Sequence, residues 1–306
     1  MTGFLAVIGT KLADRWVQAL VLPGLLWVAT LAVVARLGQD HPLDVDRLTT
    51  WLDRLATQPT GRSSAGVLLM TTAVLLGSST AGLAAGALGG LLQRLWGASG
   101  AHPPLAWAVR WRRRRHITER ARRAIARAAD PHMRGGSLAR ALVRAVAARH
   151  EHRRMALIRG GRMPEAPTRP TWIGNRFHNA ATRVHTLYDL DLELAWPRLW
   201  AVLPDNLRGD VTGARDSYTA AARLTAWGLL YGALATGWWP AAPIGACLVV
   251  AGVVRARSSA EVLAGLIETA VDLHVNDLAH RLGTPAGAPP TVETGRAITS
   301  RLQGPL

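Results

Sequence analysis

His150, Glu151 and His152 are residue types that could hold a metal ion in this 306-residue chain. A zinc-binding helix needs its histidines four apart, so that both project from one face. Residues two apart on a helix point about 200° away from each other. The His-Glu-His triplet therefore reads as solvated surface. Asp189, Asp191 and Glu193 are close enough in sequence to gather a divalent ion. The more ordinary reading is a solvated acidic linker, or one facing basic residues. "GALGG" lacks a neighbouring Lys-Ser or Lys-Thr and is no phosphate loop, and no Gly-x-Ser-x-Gly nucleophile elbow occurs. The expectation is a protein that is not an enzyme and has no catalytic residue, metal site or cofactor.

The most conspicuous chemistry is basic. "RWRRRRH" at 110–116 gathers Arg110, Arg112, Arg113, Arg114 and Arg115 around Trp111, behind a Pro103-Pro104 break. Anionic inner-leaflet lipid attracts such residues by about 1 kcal/mol each, so five supply roughly 5 kcal/mol. The same side chains could neutralise nucleic-acid phosphates with salt-sensitive affinity. No zinc-finger spacing, aromatic platform motif or clear helix-turn-helix accompanies them. Lipid contact and orientation rank first, ahead of an acidic protein partner and of nucleic acid.

Composition explains why the arginines sit where they do. The chain is 49% hydrophobic yet carries a net charge of +16. Between Arg94 and Arg162 there are 18 arginines against three acids, so nearly all the charge lies in one block. Lys11 is the single lysine. Cys247, the one cysteine, falls in an apolar run and reads as a small hydrophobe.

Three uncharged stretches flank the block. Residues 17–35 and 65–92 are each long enough to cross a bilayer core, which needs about 20 residues. Residues 224–254 are too long for one crossing and are broken at Trp238-Trp239-Pro240 and Pro243. They read as a hairpin of two short spans with tryptophans at the interface; a re-entrant loop is the alternative. Lys11 and Arg15 precede the first span, the arginine block follows the second, and Arg255 and Arg257 follow the last. Positive-inside bias puts both termini and the central region in the cytoplasm, with four spans. None of the three stretches holds Asp, Glu, Lys, Arg or His, which argues against a carrier or pump.

The spans carry small-residue rows. Ser78, Gly82, Gly86 and Gly90 recur every four residues, and Gly228, Gly232 and Thr236 repeat the spacing. Such rows let another helix approach closely, within this chain or in a homo-oligomer.

The remainder reads as helical. Residues 105–160 suggest two helices broken at 130–137, the second capped by Ser137, followed by a Pro/Gly linker at about 159–171. Beyond it we expect a helix, an extended acidic linker around Asp189–Glu193, and a Trp-rich segment lying against the membrane. Ser258-Ser259 with Glu261 resembles a capping box opening an amphipathic helix of about 20 residues. Its acids, Glu268 and Asp272 among them, would meet arginines of the central helices. The tail after Gly283 reads as loose, with a short helix at 293–302.

"RWVQALVLPGLLWVATLAVVARLG", "PTWIGNRFHNAATRVHTLYDLDLELAWPRLWAVLPD" and "AEVLAGLIETAVDLHVNDLAHRLG" resemble blocks of an uncharacterised family of actinobacterial multi-span membrane proteins. The resemblance implies location and topology and brings no activity or catalytic residue.

The expected fold is all-α, a helical integral membrane protein of four spans. Its regions are 1–96 (two spans), 97–219 (basic, cytoplasmic), 220–256 (transmembrane hairpin) and 257–306 (amphipathic helix and tail). The expected role is an anchor or scaffold at the inner membrane, recruiting an acidic partner. A membrane-tethered nucleic-acid binder comes second, and an oligomeric channel lined by Gly-faced spans third.

Overall fold

The computed structural model describes residues 21–57, 63–99, 110–111, 114–115, 118, 168–285, 287 and 289–304. Among these the fold is all-helical, with eight helices and no strand. They are α1 (Leu22–Leu37), α2 (Val45–Thr57), α3 (Ser64–Gly97), α4 (Trp172–Tyr188), α5 (Leu192–Val202), α6 (Asp205–Leu234), α7 (Ala241–Leu282) and α8 (Val292–Gln303). The chain divides into two compact units: residues 1–95 with 204–266, and residues 96–203 with 267–306. The region boundaries expected at 220 and 257 fall inside α6 and α7.

The first unit is assembled through small residues. Pro23 stands in the first turn of α1, where its missing N–H costs nothing, and Gly38 ends the helix at φ 65°. Gly24 lies so close to the Ser78 backbone of α3 that any side chain there would collide. On α3 the buried face is Ser78, Ala81, Gly82, Ala85 and Gly89. Ala81 and Ala85 pack with Trp227 of α6, and Trp27, Leu230 and Tyr231 close around them. The opposite side of α3 exposes Leu69, Leu76 and Leu83, and its flanks expose Leu68 and Met70.

α6 and α7 form the hairpin expected from 224–254, turning at residues 235–240. Both limbs run beyond the expected short spans. α6 begins at Asp205 and buries a face that includes Tyr218, Ala222, Ala226 and Trp227. α7 continues without interruption to Leu282, so Ser258 and Ser259 lie inside a helix and do not open one. The capping-box pattern is overridden because the apolar run before it is already helical and delivers its own carbonyls to those amides.

Two helices, α3 and α7, are long and apolar enough to cross a membrane. α1 is a shorter apolar helix.

The second unit has a closed core of Val184, Leu190, Ala195, Leu199, Val271, Val275, Leu278, Ala279 and Ile298. Two features depart from expectation. The Trp-rich segment is the helix α5, whose Ala195 and Leu199 are fully buried in this core. The expected extended acidic linker shrinks to the short connection between α4 and α5. The tail carries α8, capped by Thr291 and seated against α4 and α5 through Ile298. The two helices and Pro/Gly linker expected between 105 and 167 lie outside the described residues, apart from short pieces near 110–118.

Candidate functional site

Of the arginine cluster, Arg110, Arg114 and Arg115 are described, and all three are exposed. Arg115 places its guanidinium 3.9 Å from the centre of the Trp111 ring, a cation–π contact. Arg112 and Arg113 lie outside the described residues, as do His150, Glu151 and His152. Arg110, Arg114 and Arg115 present charge to solvent, and nothing in their geometry selects among polyanions.

The half-buried charges sit elsewhere. In the second unit Arg176 Nη1 donates to Glu268 Oε1 at 2.6 Å. Arg183 Nη1 lies 3.6 Å from Glu268 Oε2, and its Nη2 donates to Asp272 Oδ2 at 3.1 Å. Tyr188 donates its hydroxyl to Asp272 Oδ1 at 2.8 Å. Burial, helped by that hydrogen bond and by the Asp272 charge, pushes the Tyr188 hydroxyl up to about 12. The partners expected for these acids are arginines of the central helices, most of which lie outside the described residues. The partners observed are Arg176 and Arg183 of α4, downstream of the basic block. Two guanidinia, two carboxylates and the phenol thus fasten α4 to α7.

Asp189, Asp191 and Glu193 do not converge on an ion. Asp189 ends α4 in the left-handed conformation at φ 53° and accepts from Arg296 Nε at 2.9 Å. Asp191 caps α5, accepting from the amides of Glu193 and Leu194. Glu193 is exposed. Among the described residues no group of three or more His, Cys, Asp or Glu could hold a metal.

The small-residue rows are only partly used. Ser78 and Gly82 are buried, but a side chain added at Gly86 or Gly90 would meet nothing within 4 Å. The row expected on every fourth residue gives way to Ser78, Ala81, Ala85 and Gly89, whose steps of three, four and four keep to one face of the helix. Gly89 faces the Arg223 backbone. Gly228 and Gly232 meet Gly245 of α7: a Cβ at Gly245 would lie 2.7 Å from both the Gly228 carbonyl oxygen and the Gly232 nitrogen. Gly252 likewise crosses Thr225. The α7 partners were not legible as a row, because Gly245 and Gly252 do not recur every fourth residue. Gly245 and Gly252, seven apart, carry the signal.

A second feature had no sequence signal. Gln39 Nε2, just past α1, donates to the carbonyls of Ala235 and Thr236 at 2.9 and 3.0 Å. Trp238 Nε1 donates to the Pro42 carbonyl at 2.7 Å. The turn after α1 and the turn between α6 and α7 are thereby clasped together. Cys247 is free and exposed on α7.

Set beside protein-family models, curated proteins and solved structures, the chain finds no match in any of the three.

Proposed function

We propose that this protein is a multi-pass anchor of the cytoplasmic membrane. Four helices would cross: α1, α3, the apolar end of α6 and the apolar start of α7. The observation that carries the reading is where the apolar surface lies. In the most apolar stretches of α3 and α7 only 17% and 22% of residues are buried. A core helix of a water-soluble protein hides such a stretch; a helix facing lipid leaves it uncovered. The α6 limb is short of apolar surface because it is the inner helix of its unit, packed through Tyr218, Ala222 and Trp227.

The clasp supports an even number of crossings. Two turns joined by Gln39 and Trp238 belong at one face of the bilayer, and the chain ends leading into their helices then belong at the other. Arg94, Arg255 and Arg257 mark that other face as the cytoplasmic one by positive-inside bias. The arginine block would lie there, close to anionic headgroups, and would recruit an acidic protein partner to the inner surface. The second unit, with its closed core and paired charges, suits water and would be the rigid platform of such a scaffold.

Purification from native membranes at low and moderate salt tests the scaffold role. A stoichiometric acidic protein that survives moderate salt supports it. Nuclease-sensitive polynucleotide in its place would favour a membrane-tethered nucleic-acid binder.

A further inference from the structure

α2 joins two helices assigned to the bilayer, and its sequence, VDRLTTWLDRLAT, divides cleanly around the helix axis. At 100° per residue, Val45, Leu48 and Leu52 fall on one side, with Trp51 at its edge. Asp46, Arg47, Thr50, Asp53 and Arg54 fall on the other. Much of the apolar side is left uncovered, although Leu48 and Trp51 are half-buried. Val45 is 66% exposed and Leu52 50%, and Leu43, just ahead of the helix, is 71% exposed.

Its surroundings fix what can cover that side. α2 starts eight residues after α1 ends, too few to carry it far from the end of α1. The intervening turn is pinned by the clasp to Ala235, Thr236 and Trp238. Asp44 Oδ1 accepts from the Arg47 amide at 2.9 Å and so starts the helix at once. Arg36, in the last turn of α1, sets its guanidinium 5.2 Å from the Trp51 ring and holds the two helices together. A largely uncovered apolar face held at the mouth of a lipid-facing helix meets the boundary between headgroups and acyl chains.

We propose that α2 lies flat in the outer membrane interface, with Val45, Leu48 and Leu52 inserted among the acyl chains, an inference that rests on the bilayer placement of α1 and α3. Two acids balance two arginines on its polar face, so headgroup charge gives no net pull and apolar burial alone seats it. Trp239, in the clasped turn, is likewise exposed, at 52%.

The test is spin-label accessibility of the full-length protein in phosphatidylethanolamine–phosphatidylglycerol vesicles. Cys247→Ser supplies the background, with single cysteines at Val45, Leu52, Asp46, Thr50 and, within α3, Leu75. The expected pattern is oxygen collisions exceeding those with a water-soluble nickel complex at Val45, Leu52 and Leu75, and the reverse at Asp46 and Thr50. The contrast should persist when phosphatidylglycerol is omitted. Labels at Val45 and Leu52 open to nickel, with Leu75 still in lipid, would overturn the interfacial helix and leave the anchor standing. Labels there shielded from both reagents would overturn it in favour of a protein contact. Nickel access at Leu75 would overturn both readings.

Discussion

Trp238 donates its indole N–H to the Pro42 carbonyl at 2.7 Å, across 196 residues of chain. Gln39 makes the companion contacts to Ala235 and Thr236. Each intramolecular hydrogen bond is worth about 1 kcal/mol net. Trp238→Phe should therefore cost roughly 1 kcal/mol, and Gln39→Ala, which removes two bonds, up to about 2 kcal/mol, read as a lowered melting temperature in detergent. Because both hold one joint, the double variant should cost less than the sum of the two. Additive losses would mean that the two contacts act independently.

The glycines separate into those that touch and those that do not. A methyl at Gly228 would lie 2.6 Å from the Val249 nitrogen, against backbone that cannot swing aside. Gly228→Ala should destabilise by about 1–3 kcal/mol through forced overpacking, and Gly245→Ala similarly. Gly86→Ala and Gly90→Ala meet open space and should leave monomer stability within about 1 kcal/mol. If Gly90→Leu instead dissociated an oligomer, the outer small residues would be serving a second copy of the chain. Thermal unfolding with size-exclusion light scattering distinguishes these outcomes.

Glu268 should matter far more than an exposed acid. It is 19% exposed and engages both Arg176 and Arg183, whereas Asp205 is 96% exposed beside Arg208. Glu268→Gln should cost about 1–3 kcal/mol, because two guanidinia lose a charged acceptor in a partly dry site. Asp205→Asn should cost under about 1 kcal/mol. Chemical denaturation of the two variants checks the ratio. Comparable losses would show that the Glu268 cluster contributes no more than a surface pair.

Much of this was legible beforehand, and the misses share a cause. The apolar runs, the break at Trp238-Trp239-Pro240 and the acidic face of 261–272 were visible because periodicity and turn residues are local signals. The Ser258-Ser259 cap misled because a local pattern yields to a helix already propagating through it. Ala195 and Leu199 read as membrane-surface neighbours because sequence alone does not reveal the buried Val184 and Leu278 they pack against. The Gln39–Thr236 contact left no trace, since single polar residues in turns have many uses.

Tyr188 gives a pH signature for the second unit. Its hydroxyl is held up to about 12, chiefly by burial and then by Asp272. The native state therefore keeps a proton that the unfolded chain releases near 10. The stability this contributes is full below about pH 10 and is lost as pH climbs through about 12. Subtracting the tyrosinate absorbance titration of Tyr188→Phe from that of the native chain should isolate a midpoint near 12. Asp272→Asn should move that midpoint down. A midpoint near 10 in the native chain would mean that the phenol is solvated.

The central claim is that the two clasped turns lie outside the membrane and the C-terminal segment inside. Single cysteines at Asp40, Thr236 and Thr284, in a Cys247→Ser background, can be offered a membrane-impermeant maleimide on intact cells. Labelling at Asp40 and Thr236 from outside, with Thr284 labelled only after permeabilisation, is the result predicted. Labelling of Thr284 in intact cells, or protection of Asp40 and Thr236 alongside it, would contradict the topology and the anchor built on it.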